Sequence, residues 1–319
     1  MRLVEDRSST VPAGGTDYGP GAWIGTVDIS YRIAGWDPGP TKVETTVVFA
    51  PGPGGQLVAA IGDQEGRTPL WLTGPVTVLE RGRTLVIARK AGTARYSRLA
   101  QRAVLDVGKV LPAWKGRLVI EVPASQDELD EVLGVTPNQY ANIAAVTASV
   151  DGSMLRSAPV HVFLNPGVFD PLGPRGAQVV ISHESTHVAT EATFARMPTW
   201  LLEGFADYVA LAHAGIPVGT AASQIIARIK KEGPPSHLPT ADDLDPTASG
   251  LGATYEEAWL ATRFVAREYG EAKLVSFYDA VDAGRTEAQA FARVLGTTEA
   301  AFTRAWRADL RALSRGMAG

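Results

Sequence analysis

Along the first ninety residues apolar and polar positions alternate. Trp23–Ile33 (WIGTVDISYRI) and Lys42–Ala50 (KVETTVVFA) put successive side chains on opposite faces, the period-two pattern of half-buried strands. PGPGG turns the chain into QLVAAIG, and Pro69–Arg89 reads as further short strands joined by Gly-containing turns. Near Ala94 the period changes. Arg98–Leu111 carries apolar residues at helical spacing, and RLVIEVP then reads as a buried strand. SQDELDEVLG reads as a short helix with Ser125 as N-cap and Gly134 just past its end. AAVTASVDG and Pro159–Pro166 (PVHVFLNP) supply two more strands.

After Asn165 the helical period dominates. Helices are predicted over Arg175–Thr190, Thr199–Ala214, Thr220–Lys231 and Tyr255–Tyr269. Three more follow over Glu271–Ala283, Glu287–Leu295 and Glu299–Ser314. In the last, Phe302, Trp306, Leu310 and Leu313 form a stripe suited to docking on a core. The order gives an α+β chain with a flexible lead-in over 1–22 and an antiparallel β-rich accessory domain over 23–93. A second domain follows over 94–319, and its helical C-terminal part begins at about residue 191.

Composition narrows the function classes. The 319 residues are 45% hydrophobic and 20% charged, which describes a globular protein with a sizeable core. The net charge of −4, with no block of basic residues, argues against nucleic acid as a partner. No apolar run reaches membrane-spanning length. The chain has no cysteine, so any metal must be held by histidine and carboxylate.

Two of the five histidines stand four residues apart in ISHESTHVAT. His183, Glu184 and His187 fit HExxH and fall within an arc of about 100° on a helix. Ser182 and Ser185 take the opposite side, and Val179, Val180, Ile181 and Val188 surround the motif. The histidine face therefore reads as enclosed, and enclosed ionisable groups need a common partner such as a metal ion. A catalytic zinc normally takes three protein ligands. Glu203, sixteen positions after His187 in PTWLLEGFADYV, is the candidate third ligand. Asp207, one turn on, is placed to hydrogen-bond the outer nitrogen of a metal-bound histidine. Gly204 costs this helix about 1 kcal/mol relative to alanine, which a close approach of the histidine helix would justify. His161, His213 and His237 read as structural or surface residues, with His161 on a strand that can line the cleft.

HESTH followed by WLLEGFADY resembles the gluzincin metallopeptidases, most closely the peptidase MA-like family of bacteria. The resemblance runs from about Arg98 to Ser314. It implies a zincin-like peptidase domain over 94–319, with a small sheet and an active-site helix ahead of the helical part. It implies one zinc ion on His183, His187 and Glu203, Glu184 as general base, and Asp207 as the supporting acid. TYEEAWLATRFVAREYG resembles a later helix of the family, and makes Tyr255 the candidate phenol that steadies the tetrahedral oxyanion. The implied activity is peptide-bond hydrolysis by a metal-activated water, with a peptide or protein as substrate. The strand HVFLN, just ahead of the histidine helix, is the expected edge strand for an extended peptide. Two other readings stand beside this one: a catalytically silent zinc-bearing module that binds a peptide or cell-envelope partner, and a zinc hydrolase for a non-peptide amide. Similar proteins commonly follow a signal or membrane anchor, so an extracytoplasmic domain with its anchor outside this chain is expected, or a cytoplasmic one if Met1 is the native start.

Overall fold

The computed structural model describes residues 2–4, 18–62, 66–245 and 248–316. The first elements are β1 (Arg2–Val4), β2 (Trp23–Tyr31), β3 (Thr41–Gly52), β4 (Gly55–Ile61), α1 (Leu70–Thr73), β5 (Thr77–Arg81) and β6 (Thr84–Ala88). α2 (Thr93–Val110), β7 (Leu118–Val122), α3 (Gln126–Leu133), β8 (Ala145–Ser149), β9 (Val160–Leu164) and α4 (Pro166–Phe169) follow. Then come α5 (Pro174–Ala189), α6 (Thr199–Ala212), α7 (Val218–Ala221), α8 (Ser223–Glu232), α9 (Leu251–Tyr269), α10 (Glu271–Asp282), α11 (Glu287–Ala290) and α12 (Glu299–Ser314). The chain divides into two compact units, Met1–Val104 with Gly116–Ala177, and Leu105–Lys115 with Gln178–Gly319.

The first unit holds both sheets. β1 to β4 form an antiparallel sheet in sequence order. Alternation decides β3: Thr41, Val43, Thr45 and Val47 are buried while Lys42 and Glu44 face out. A register shift at Val48/Phe49 interrupts the pairing with β4. Trp23 lies directly opposite Phe49 and stacks on it at 4.5 Å. Most of the lead-in expected over 1–22 lies outside the described residues, but Arg2–Val4 pair with β2. Within Pro69–Arg89, where strands alone were expected, Leu70–Thr73 forms a helical turn closed by Thr73 Oγ1 donating to the Leu70 carbonyl at 2.9 Å.

The second sheet is mixed, in the order β5-β6-β7-β9-β8. β6, β7 and β9 run parallel, with β5 and β8 antiparallel at the two edges. β6 and β7 are buried at every position, and apart from Thr84 and Glu121 their residues are apolar. β6 precedes the 93/94 boundary expected from the change of period, and β7 follows it. Parallel neighbours need a crossover, and α2 supplies it, so one sheet spans that boundary. The expectation that HVFLN is an edge strand is corrected: β9 pairs with β7 on one side and β8 on the other, and β8 is the edge. α3 has the expected ends, with Ser125 Oγ accepting from Glu128 N at 3.2 Å and Gly134 left-handed at φ 58°.

The second unit is helical. Rings of Phe264, Phe302, Phe291, Phe277 and Trp200 follow one another at centroid separations of 5.5, 5.0, 4.9 and 6.4 Å. This aromatic spine receives the α12 stripe: Phe302, Trp306, Leu310 and Leu313 are all buried. Among the described residues no helix is long and apolar enough to cross a membrane.

His161 is fully buried in the first unit and lines no cleft. Its Nδ1 meets Glu121 Oε1 at 2.6 Å and its Nε2 meets Asp37 Oδ1 at 3.0 Å. Asp37 also accepts from Ile33 N at 2.7 Å, so the imidazole ties the loop after β2 to β7. Burial disfavours its charge, but Asp37 and Glu121 more than offset that and raise the group to about 9. A histidine raised in the folded state contributes stability that is fully present below its ordinary value of about 6.5 and is lost as pH rises through about 9. His161→Gln is therefore expected to lower stability by about 3 kcal/mol at pH 6. The deficit should shrink steadily between pH 6.5 and 9.5 in urea titrations, and a deficit that stays constant over that range contradicts the charged pair.

Candidate metal centre

α5 opens with Pro174, whose missing N–H costs nothing at a first helical position. The serine side of this helix is not a solvent face. Ser182, Ser185 and Thr186 are buried, with Ser185 Oγ donating to Ile181 O at 2.6 Å and Thr186 Oγ1 to Ser182 O at 2.8 Å. Small hydroxyls satisfied within the helix allow it to be covered closely there. Glu184 and His187 are buried too, as the surrounding valines and isoleucine implied, while His183 keeps limited access to solvent.

The chain leaves α5 through Glu191, one of two non-glycine residues with positive φ among the described residues, at 52°. A single 3₁₀ turn over Ala192–Phe194 and Pro198 then lead into α6. This reversal brings Glu203, in the second turn of α6, back onto the histidines. His183 Nε2 and His187 Nε2 lie 2.9 Å apart, and Glu203 Oε2 lies 3.2 Å from the first and 3.5 Å from the second. Donor atoms around one tetrahedral ion at 2.0–2.1 Å stand roughly 3.3–3.4 Å apart, a spacing that these separations bracket. The two rings meet at 87°, with centroids 4.6 Å apart. His183, His187 and Glu203 thus form a group that can hold a metal ion. Two imidazoles and a carboxylate, without sulfur, suit a first-row divalent cation.

Asp207 stands one turn beyond Glu203 and holds His183 from behind, with its Oδ1 2.8 Å from His183 Nδ1. A proton held on Nδ1 leaves the Nε2 lone pair for a ligand bond. The side chains of His183, His187, Glu203 and Asp207 are between 11% and 17% exposed, enough for entry and little enough to strengthen every charge interaction. Burial opposes a charge on His183, but Asp207 and then Glu203 hold its imidazole well above the ordinary range. Burial would raise Glu203, yet His187 and His183 pull it well below the usual carboxylate range. In the metal-free protein the histidine–carboxylate pairs compensate one another, so a metal displaces a proton as it binds.

Two further sequence candidates lie within electrostatic reach of one another and of this group. Glu184, adjacent to His183, is buried, and its charge is felt at the Tyr255 phenol. Tyr255 lies in the second turn of α9, which begins at Leu251, four residues ahead of its expected start. Burial, followed by the charges of Glu203, Asp207 and Glu184, raises the phenol above its ordinary value and keeps its proton on the oxygen.

The role expected for Gly204 is corrected. The close approach is made by α9, not by the histidine helix. A Cβ on Gly204 would fall against the Ala258 carbonyl, 2.7 Å from its carbon, and 3.0 Å from Thr262 Cγ2. Thr262 Oγ1 donates to Gly204 O at 2.7 Å and locks the crossing. Ala258 and Thr262 escaped the sequence reading, although Thr262 sits seven residues after Tyr255, on the same face of α9. Glu203 and Tyr255 are carried by two helices that touch at this glycine.

Gly204→Ala should therefore destabilise the protein by on the order of 2 kcal/mol, despite alanine's better helix propensity, because the atoms it meets are backbone. A variant at least as stable as the wild type in urea unfolding would show that the crossing yields.

The sequence matches no known family model, and comparison with curated proteins finds no match.

Proposed function

We propose that this protein is a zinc-dependent metallopeptidase of the gluzincin type, with a zincin-like peptidase domain and one zinc ion on His183, His187 and Glu203. The observation that carries the reading is the convergence of those three donor atoms, with Asp207 behind His183 and a buried carboxylate, Glu184, beside them. The motif pair HESTH and WLLEGFADY, with its resemblance to the peptidase MA-like family, supports the same reading.

Bound zinc would act as a Lewis acid toward water and the scissile carbonyl, lowering the pKa of that water from 15.7 toward about 7. The chain's own residues supply the proton traffic. The Glu184 carboxylate takes one proton from the attacking water as its oxygen bonds to the carbonyl carbon. The same carboxyl then passes that proton to the amide nitrogen as the C–N bond breaks, giving a carboxylate product and an amine. Tyr255 keeps its phenolic proton and donates a hydrogen bond to the carbonyl oxygen as negative charge develops there. Asp207 fixes the His183 ring throughout.

Metal content after zinc reconstitution, followed by cleavage of a defined peptide library, tests this on the full chain. Wild type is expected to bind one zinc and cleave; Glu184→Gln should keep the zinc and lose roughly 10²–10⁴-fold in rate. If zinc binds but wild type and variant are equally inert on every amide, the silent binding module takes the place of the enzyme. Failure to retain zinc overturns the site itself. In the same preparation Asp207→Ala should weaken zinc binding roughly 10–100-fold without abolishing it, measured by competition with a chromogenic chelator.

A further inference from the structure

Along α9, Trp259, Arg263 and Ala266 fall at helical spacing on one face, one to three turns beyond Tyr255. With Tyr208 and Leu211 of α6, and Ile216 and Val218 beyond it, these residues line a pocket of about 370 Å³ in the helical unit. The pocket shares no residue with the metal centre, and its lining includes no aspartate or glutamate.

Two guanidinium groups line it, Arg263 and Arg267, and they differ in how they are compensated. Arg267 Nη2 donates to Asp309 Oδ1 at 2.8 Å and to Glu268 Oε1 at 2.9 Å, so its charge is already engaged. Arg263 is half-buried and, among the described residues, takes part in no hydrogen bond or ion pair. Its five N–H donors therefore find no acceptor among those residues. Burial, and then the like charge of Arg267, lower its pKa from the ordinary range, and Asp309 and Tyr208 offset this only in part. The Tyr208 hydroxyl is itself engaged, donating to Glu271 Oε2 at 2.7 Å. Arginine does not shed its proton in a protein, so an anion from outside is what relieves the cost of half-burying this charge. Ala212 at the end of α6 also lines the pocket, but the partial negative charge of a helix C-terminus is smaller than one full guanidinium charge. The walls are apolar, with buried Trp259 beside Leu211, Ile216 and Val218, and the volume suits a small organic molecule.

We propose that this pocket binds a carboxylate carried on an apolar body, with the carboxylate on the Arg263 guanidinium and the body against Leu211, Val218 and Trp259. The planar fork of a guanidinium matches the two oxygens of a carboxylate, which favours this anion over a spherical one. Such a group is offered both by a free organic acid and by the C-terminus of a polypeptide that ends in an apolar residue.

Titration calorimetry on the full chain with metal removed tests the pocket separately from the proposed peptidase, because no zinc is present to take a carboxylate. 3-Phenylpropanoate is expected to bind at least about tenfold more tightly than the neutral 3-phenylpropan-1-ol. Arg263→Gln should bring the acid down to the level of the alcohol and leave the alcohol unchanged, whereas His187→Ala should change neither. Ala212→Trp should block both. A second measurement needs no variant: 3-phenylpropanoate, and not the alcohol, should slow the modification of Arg263 by phenylglyoxal, read by peptide mass mapping. Equal binding of acid and alcohol, no binding of the acid, or an Arg263 modification rate unchanged by the acid overturns the proposal. A tripeptide ending in a phenylalanine with a free carboxylate, compared with its amide, separates the sources. Competition by the free-acid peptide alone assigns the pocket to a polypeptide C-terminus, and binding of 3-phenylpropanoate without such competition assigns it to a small acid; both support the carboxylate pocket.

Discussion

Two imidazoles and two carboxylates share a nearly enclosed space, and charges so placed are tolerable only when each has a partner of opposite sign within a few ångströms. His183 satisfies this twice, toward Glu203 at its Nε2 and toward Asp207 at its Nδ1. The arrangement of α5, α6 and α9 follows from that requirement. α5 must present positions 183 and 187 on one face, and the turn through Glu191 must reverse the chain so that position 203 arrives opposite them. The same compensation gathers three donor atoms in one place, so the residues that neutralise one another in the metal-free protein are those that can hold a metal ion.

The support for this geometry lies one helix further out. Gly204 and Thr262 set the distance between α6 and α9, and α9 carries Tyr255 to the carboxylates. α9 in turn packs by Phe264 on Phe302 of α12, so the aromatic spine of the helical unit stands behind the site. A glycine that weakens its own helix is retained where the backbone of a neighbour occupies the volume a methyl group would need.

The first unit solves the same electrostatic problem without leaving a free coordination point. His161 lies between Glu121 and Asp37, with both ring nitrogens engaged by carboxylates, and it holds a loop instead of a ligand. The contrast with His183 is instructive. There one nitrogen is fixed by Asp207 and the other faces a second imidazole and a second carboxylate, a set of donors that one proton cannot saturate.

Much of this was legible in the chain itself. Period two marked β2 and β3, period 3.6 marked the helices after Asn165, and the spacing of His183, Glu184 and His187 put them on one face, because local backbone geometry alone decides which side chains share a side. Glu203 and Asp207 could be nominated because ligand chemistry demands a third donor and a supporting acid. Contacts between elements distant in sequence were decided only by the tertiary structure. Nothing in HVFLN reports that a later pairing places β8 outside β9, nor does the period change near Ala94 reveal that β6 and β7 are neighbours. Gly204 announced a close approach, but the identity of the approaching helix depends on where Ala258 and Thr262 lie after folding. Residues within a turn of one another are ordered by covalent geometry, whereas partners tens of positions away are selected by packing, and packing belongs to the whole chain.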